Sequence, residues 1–307
     1  MATLQSTIRP ARLSTAQQAS APAQNLRVGV LAGWGRYPLI VAEKLRAAGF
    51  RVYGQGIKDH ADPELAKLCD EFHWVGLGKF GSAARWFCEH DVRQATMAGK
   101  VHKVVLFQPA VWLRHLPDWR TIRCFWPHFV SARKDKKDDT LLSAVIEAFA
   151  MDGIHFAPAT DFAPELLVRR GLLTTGRPTA AQLKDIAFGW QMAKEMGRLD
   201  VGQSVVVKGQ AVLAVEAIEG TDECICRAGK LCRAREFTVV KVAKPQQDMR
   251  FDVPTIGVGT LRTMAEAGAR VLAIEAGKTI VLDEPEVVKF ANRHGLIVVA
   301  CDESGHF

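Results

Sequence analysis

The chain has 307 residues, of which 48% are hydrophobic and 24% are charged, and this composition is typical of a folded globular protein and excludes wholesale disorder. No run of the sequence approaches the roughly 18 consecutive apolar residues of a membrane-spanning helix. Seven scattered cysteines argue against a disulfide scaffold, and the length predicts two domains.

The net charge of +7 is concentrated in two segments. Residues 1–27 contain three arginines and no acid, and residues 100–137 contain nine Lys or Arg against two Asp. The remainder of the chain is slightly acidic. We therefore expect any anionic partner to bind at these segments.

Residues 1–25 are rich in Ala, Ser, Thr and Gln and are predicted to form a disordered tail. Their acid-free, Arg-bearing composition is also similar to that of an organelle transit peptide. They lack the apolar core of a secretory signal, so a cytoplasmic location is the simplest interpretation.

Strands and helices alternate through residues 26–158. Strands are predicted at 27–32, 51–57, 94–98 and 154–157, and helices at 39–48, 82–90 and 139–151. In the last of these helices the apolar residues recur at helical spacing. The alternation predicts a Rossmann-like N-terminal domain built on a parallel sheet.

Residues 159–307 are predicted to form a mixed α/β C-terminal domain that carries the catalytic residues. Helices are predicted at 178–196, 260–267 and 284–294, and strands at 203–207, 211–215, 237–242, 271–274, 279–282 and 296–300. The residues between the first two of these strands, Lys208-Gly-Gln210, indicate a hairpin.

Gly33 and Gly35 lie between the first predicted strand and the first predicted helix, where backbone N–H groups can approach a phosphate. A dinucleotide-binding fingerprint requires a third glycine, but Pro38 occupies its place. An acid, Asp59, follows the second predicted strand at a longer distance than the fingerprint requires. The motif favours a generic phosphate or nucleotide turn over an NAD site, and a plain tight turn stays open.

Residues 105–130 interleave basic and aromatic side chains. This combination suits a membrane surface with anionic lipid, single-stranded nucleic acid, or a long loop that covers the core.

A second unusual feature is the cluster of Cys224, Cys226 and Cys232, whose spacing fits no standard zinc site. Thiols without a metal on a helix are the favoured interpretation.

Two polar segments, residues 216–222 and 241–252, each follow a strongly apolar strand and are expected at strand ends, where α/β sites form. Converging lysines and carboxylates suit metal-assisted phosphoryl chemistry, in which carboxylates hold Mg²⁺ and cations neutralise phosphate charge. Two structural alternatives stay open. Asp222 could be a helix N-cap, and the aspartates near Arg250 could form salt bridges and loop caps.

Nine stretches of the sequence resemble, in order, the two-domain UDP-2,3-diacylglucosamine pyrophosphatases of lipid A biosynthesis, which are unrelated to the calcineurin-like enzymes with the same activity. The stretches are Leu31–Pro38, Ala61–Pro63, Gly78–Gly81, Met97–Val101, Lys137–Leu142, Leu199–Gln203, Val215–Asp222, Lys241–Pro245 and Arg250–Gly257. They cover about residues 26–300, and the last three are the most specific. One departure is Ala243, which stands where the family often has proline.

The resemblance implies Mg²⁺-dependent hydrolysis of the pyrophosphate of UDP-2,3-diacylglucosamine to UMP and 2,3-diacylglucosamine 1-phosphate, with water attacking the phosphorus on the sugar side. It places the family's key aspartate at Asp252. The residues that it implies for substrate binding are Gly33, Gly35, Pro38, Val101, His102, Gln203 and Thr221. Asp252 and Asp222 would hold the metal. Lys241 and Lys244 would stabilise charge, and Thr221 would donate a hydrogen bond to substrate.

The expected partner is a nucleotide-activated glycolipid, with no role for nucleic acid. The basic, Trp-rich segment would bring a cytoplasmic enzyme to the surface of the inner membrane. The family also implies a homodimer. A nucleotide-sugar or dinucleotide oxidoreductase is the alternative function, and a lipid- or nucleic-acid-binding module without catalysis is the third.

Overall fold

The structure is a computed structural model that describes residues 26–101, 115–123 and 138–307. The predicted tail at residues 1–25, the candidate substrate contact His102 and most of the basic, aromatic segment lie outside the described residues.

The N-terminal half is built on a five-stranded sheet in which every pair of neighbours is parallel. Its strands are β1 (Arg27–Ala32), β2 (Arg51–Ile57), β3 (Glu71–Val75), β4 (Gln94–Ala98) and β5 (His155–Phe156), in the order β3-β2-β1-β4-β5. Its longer helices are α1 (Tyr37–Ala47), α2 (Phe80–Glu89) and α3 (Asp138–Ala150), and a single turn of helix follows at Ala159–Phe162. The predicted Rossmann-like sheet is confirmed, and the edge strand β3 is an addition to it.

The central strand β1 is buried on both faces, as expected in a parallel sheet covered by helices. Val30 packs in a cluster with Leu45 of α1, and Leu31 packs in the opposite cluster with Phe87 of α2. Gly29 is needed for this second contact, because a Cβ there would lie 2.7 Å from the Phe87 ring.

The C-terminal half contains a six-stranded mixed sheet. Its strands are β6 (Gly171–Leu172), β7 (Ser204–Lys208), β8 (Ala211–Val215), β9 (Phe237–Lys241), β11 (Ala269–Glu275) and β13 (Ile297–Cys301), in the order β6-β13-β11-β9-β7-β8. Strands β9, β11 and β13 are parallel to one another, and the remaining pairs are antiparallel. The predicted mixed α/β architecture is confirmed.

Four helices cover this sheet: α4 (Ala180–Arg198), α5 (Thr221–Leu231), α6 (Val258–Ala267) and α7 (Glu284–Arg293). Helix α4 begins with a capping box formed by Thr179 and Gln182 and packs Trp190 against β9. The other three pack on the opposite face around Leu261. Helix α4 was predicted to end at residue 196, but it runs through Gly197 to Arg198.

Two short strands, β10 (Thr255–Ile256) and β12 (Ile280–Val281), form a separate parallel pair. Ile280 is fully buried in the same hydrophobic cluster as Leu39 and Leu45 of α1. Residues late in the chain therefore complete the core of its first half, and the predicted boundary near residue 158 stays a prediction. Within the described ranges, none of the helices combines the length and apolarity needed to cross a bilayer.

Candidate active site

The two polar segments meet at one edge of the C-terminal sheet. Strands β8 and β9 both run antiparallel to β7, which lies between them, so both end at the edge where β7 begins. Ser204 at the start of β7 lies opposite Lys241 at the end of β9. The sheet thus brings the residues after β8 next to those after β9.

The buried lysine Lys241 is joined to Glu216 through a threonine. The Nζ atom of Lys241 donates to Thr221 Oγ1 at 2.9 Å, and Thr221 Oγ1 donates to Glu216 Oε1 at 2.9 Å. The hydroxyl of Ser204 lies 3.3 Å from Thr221 Oγ1. A threonine has one O–H proton, and this arrangement directs it at Glu216. Donation from Thr221 to substrate therefore requires that proton to turn away and stays a prediction.

Glu216 is a site residue to which sequence reasoning assigned no role. Its side chain is 7% exposed, and its Oε2 atom makes no hydrogen bond to any residue that the structure describes. A buried polar atom without a partner carries a desolvation cost, and such atoms are uncommon in folded proteins. The sequence placed Glu216 within the polar segment 216–222, which marked it as a candidate. Its burial, which distinguishes it, follows only from the fold.

Charged side chains from both halves of the chain lie within electrostatic reach of Lys241. Burial lowers the pKa of this lysine, because removal from water disfavours the charged form. Glu216, Asp222 and Asp252 raise the pKa, and Lys100 lowers it further. Since Lys100 follows β4 in the N-terminal half, the site lies where the two halves of the chain meet. Sequence reasoning counted Lys100 as part of the basic segment and gave it no place in the site.

The glycine turn after β1 holds the backbone around Lys100. The N–H of Gly33 donates to the carbonyl of Ala98 at 2.8 Å, and the N–H of Trp34 donates to the carbonyl of Lys100 at 2.7 Å. Two amides that a phosphate turn would use are thus already bonded within the protein. Gly35 adopts a φ of +106°, and Pro38 lies buried in the first turn of α1.

The remaining candidate residues lie around this centre. The Nζ atom of Lys244 donates to Asp200 Oδ1 at 2.9 Å, at the end of α4. The carbonyl of Gln203 accepts from the N–H of Val242 at 3.0 Å, and its Oε1 atom is buried without a hydrogen bond to any described residue. Val101 directly follows Lys100 and is exposed.

The structure shows different contacts for Asp222, Asp248 and Asp252. The N-cap of α5 is Gly220, so the N-cap interpretation of Asp222 is wrong. Asp248 pairs with Arg250, with Oδ1 2.9 Å from Nε, which is the salt bridge that the sequence suggested. The N–H of Asp252 donates to the carbonyl of Asp248 at 2.9 Å.

The donor set suits Mg²⁺ bound together with substrate. In the described parts of the chain, no group of three or more His, Cys, Asp and Glu side chains could hold a metal ion. The carboxylates of Asp222 and Asp252 nevertheless both act electrostatically on Lys241, and carboxylate oxygen is a ligand type that Mg²⁺ prefers. Mg²⁺ commonly takes one or two carboxylates, with water and substrate phosphates completing its coordination.

Two members of the cysteine cluster lie in the core of the C-terminal half. Cys224 and Cys232 are buried among the residues of α5 and α6. Burial raises the pKa of the Cys224 thiol to about 12. Because the thiolate is the metal-binding and nucleophilic form, burial disfavours both roles for this side chain.

Comparison with known families identifies the chain. The family model for the LpxI N-terminal domain matches residues 27–166, and that for the LpxI C-terminal domain matches residues 169–299. This chain belongs to the LpxI family. The UDP-2,3-diacylglucosamine pyrophosphatase LpxI of Caulobacter vibrioides is 33% identical over 283 residues, which are 90% of this chain and 98% of that protein.

Membership of the LpxI family confirms the resemblance drawn from the sequence motifs. The family models also show which domain each candidate site residue belongs to. Lys100 belongs to the LpxI N-terminal domain, whereas Thr221, Lys241 and Asp252 belong to the LpxI C-terminal domain. The candidate site is therefore shared by the two LpxI domains.

Proposed function

We propose that this chain hydrolyses the pyrophosphate of UDP-2,3-diacylglucosamine and releases UMP and 2,3-diacylglucosamine 1-phosphate. Support comes from its LpxI domains and from the named activity of its relative. The observation that carries the proposal is the buried Lys241, which shares its site with Lys100 and with two aspartates, Asp222 and Asp252. Ammonium groups in a water-poor site neutralise charge on phosphate oxygens more effectively than they do in water.

In this hydrolysis, water adds to one phosphorus while the bond from that phosphorus to the bridging oxygen breaks. We propose attack at the phosphorus on the sugar side, so that UMP leaves with the bridging oxygen. Lys241 and Lys100 would stabilise the negative charge that develops on the phosphate oxygens. Lys244 would join them by exchanging Asp200 for the substrate. Hydrolysis in ¹⁸O-water tests the direction, because label is expected in 2,3-diacylglucosamine 1-phosphate, and label in UMP would contradict it.

We propose further that Asp252 and Asp222 hold Mg²⁺, which when bound neutralises phosphate charge and polarises the attacking water. The test follows UMP release by the purified full chain with Mg²⁺ or with EDTA. Asp252→Asn should lower kcat on the order of a thousandfold, since a metal ligand supplies several kcal/mol of transition-state stabilisation. Asp248→Asn is the matched control, because its carboxylate is bonded to Arg250.

The outcomes of this test are distinct. Release of UMP with Mg²⁺ that EDTA and Asp252→Asn abolish supports both the reaction and the site. Release that is indifferent to EDTA contradicts the metal. Absence of UMP release from folded protein with Mg²⁺ present contradicts the function itself.

We also propose that the enzyme works at the cytoplasmic surface of the inner membrane, where a diacylated substrate resides. Leu116, Trp119 and Ile122 are exposed three residues apart, and Trp119 is 77% exposed. The flanking segments carry the excess of Lys and Arg. Apolar and cationic groups together favour binding to anionic lipid. Sedimentation with vesicles should show binding that increases with anionic lipid and falls with salt, and binding indifferent to both would contradict the proposal.

The homodimer implied by the family is a proposal of the same kind. Sedimentation equilibrium should give a mass twice that of the chain. A mass equal to that of one chain across micromolar concentrations would contradict it.

A further inference from the structure

A buried carboxylate lies directly behind the lysine-bearing turn of the candidate site. Glu275 ends β11 and is fully buried. The preceding residue, Ile274, pairs with Lys241 in the sheet, so Glu275 lies at the same edge, one residue further along. An ionised carboxylate in such a place is costly unless all of its oxygens have partners.

Glu275 has three such partners. Lys194 Nζ from α4 lies 2.8 Å from Oε1 and 2.7 Å from Oε2, and Lys278 Nζ lies 3.1 Å from Oε1. The backbone N–H of Ala243 donates to Oε2 at 2.8 Å. Two cations thus face the carboxylate, and the carboxylate binds the backbone amide of Ala243, the residue directly before Lys244.

The turn that follows β9 also rests on the end of α4. The backbone N–H of Lys244 donates to Gln247 Oε1 at 2.9 Å, and its Nζ donates to Asp200. Gly197 lets the turn approach the helix, because a Cβ there would lie 3.3 Å from the Cα of Lys244. Since the turn belongs to no helix or strand, side-chain and packing contacts of this kind determine its shape.

We infer that Glu275 and Lys194 form a positioning pair that fixes the Ala243–Lys244 turn and thereby sets where Lys244 can reach. The inference rests on the proposed function, which assigns Lys244 to the phosphate groups. Stability alone is a weak explanation for the pair, because buried ion pairs can often be replaced by well-packed apolar residues at no cost. A charged acceptor, by contrast, holds a backbone amide about twice as strongly as a neutral one.

Hydrogen exchange measured by mass spectrometry on the full chain tests the contact directly. Glu275→Gln keeps the side-chain volume and an oxygen acceptor but removes the charge. We expect faster exchange of the amides in residues 242–247. Glu303→Gln is the matched control, because Glu303 binds the same Lys278 at 3.0 Å from the solvent side, and it should leave that exchange unchanged. If Glu275→Gln fails to fold, Lys194→Gln tests the same contact with the same expectation.

UMP release measured with and without Lys244 separates a positioning role from a purely structural one. Glu275→Gln should lower kcat/KM about tenfold, because the weakened turn misplaces Lys244. In a Lys244→Ala background the same change should have little further effect, since both act through one side chain. Unchanged exchange in 242–247, or an effect that is fully additive with Lys244→Ala, would overturn the inference. If wild-type protein releases no UMP but Glu275→Gln still speeds exchange, the contact is supported and the proposed function is at fault.

Discussion

Lys241 lies inside the protein, where a hydroxyl and nearby carboxylates stand in for the water that it has lost. Thr221 supplies the hydroxyl, and Glu216 fixes the direction of its proton. Glu216 thus orients the hydroxyl of Thr221, and that hydroxyl accepts the hydrogen bond from Lys241. A change to any of them should therefore be visible in the behaviour of Lys241.

Replacing Glu216 by Gln should shift the pH dependence of the reaction. The variant keeps an acceptor for Thr221 but loses a charge that raises the pKa of Lys241, so that pKa, already lowered by burial, should fall further. Because a lysine is charged only below its pKa, the decline of kcat/KM at high pH should begin at a lower pH. Glu219→Gln is the control, since Glu219 pairs with the exposed Arg227. A decline that starts at the wild-type pH in Glu216→Gln would contradict this arrangement.

Replacing Thr221 by Val removes the shared hydroxyl at nearly constant volume. Lys241 then loses its acceptor and Glu216 loses its donor, and each buried loss costs about 1–3 kcal/mol. Denaturant unfolding should therefore show a lower free energy of unfolding for Thr221→Val. Thr221→Ser keeps the hydroxyl and should stay within about 1 kcal/mol of wild type. Equal stability of the two variants would show that the hydroxyl does not bridge the pair.

At the scale of elements, the sequence predicted most strands and helices of both sheets because their apolar residues follow regular spacings. It missed β3, whose Glu71 and Trp74 are exposed at the edge of the sheet. It also gave no bounds for α5, which follows Gly220 with a polar first turn that reads as a loop. A regular spacing of apolar residues reveals helices and strands that bury one face. It does not reveal edge strands with exposed side chains or helices that begin with polar residues.

The candidate site shows the same division between local and long-range information. Lys241 and Thr221 could be predicted to converge because each follows an apolar strand. Lys100 could not, because its place depends on the turn after β4 meeting a sheet more than a hundred residues later in the chain. Glu216 lay within a predicted polar segment, but only its burial separates it from its exposed neighbour Glu219.

The glycine turns after β1 and β4 allow a prediction at this scale. Gly99 has a φ of +91°, and a Cβ there would lie 2.8 Å from the carbonyl oxygen of Trp34. Gly49 has a similar φ of +89° with open space around it. Gly49→Ala should thus cost only the backbone strain of about 1–2 kcal/mol. Gly99→Ala should cost more in denaturant unfolding and also reduce UMP release, because it displaces Lys100. Equal losses of stability would mean that the two turns are not in close contact.

At the scale of the whole molecule, two of the contacts that join the halves of the chain differ in kind. One is the ion pair between Arg36 Nε and Asp283 Oδ2 at 2.8 Å, whose side chains are 54% and 37% exposed. The other is apolar, and places Ile280 in the core that α1 covers. Exposed ion pairs contribute about 0–1 kcal/mol, whereas a buried isoleucine contributes several times more. The apolar contact should therefore hold the site together.

Comparing variants of these two contacts tests that conclusion. Ile280→Ala should lower the free energy of unfolding by about 2–5 kcal/mol, and Asp283→Asn by less than about 1 kcal/mol. Calorimetry should show one transition for the wild type, because each half needs the other to bury its core. In Ile280→Ala the transition should broaden or split as that coupling weakens. UMP release should fall with it, since Lys100 and Lys241 come from opposite halves. A single, sharp transition with full activity in Ile280→Ala would show instead that the two halves keep their places without this side chain.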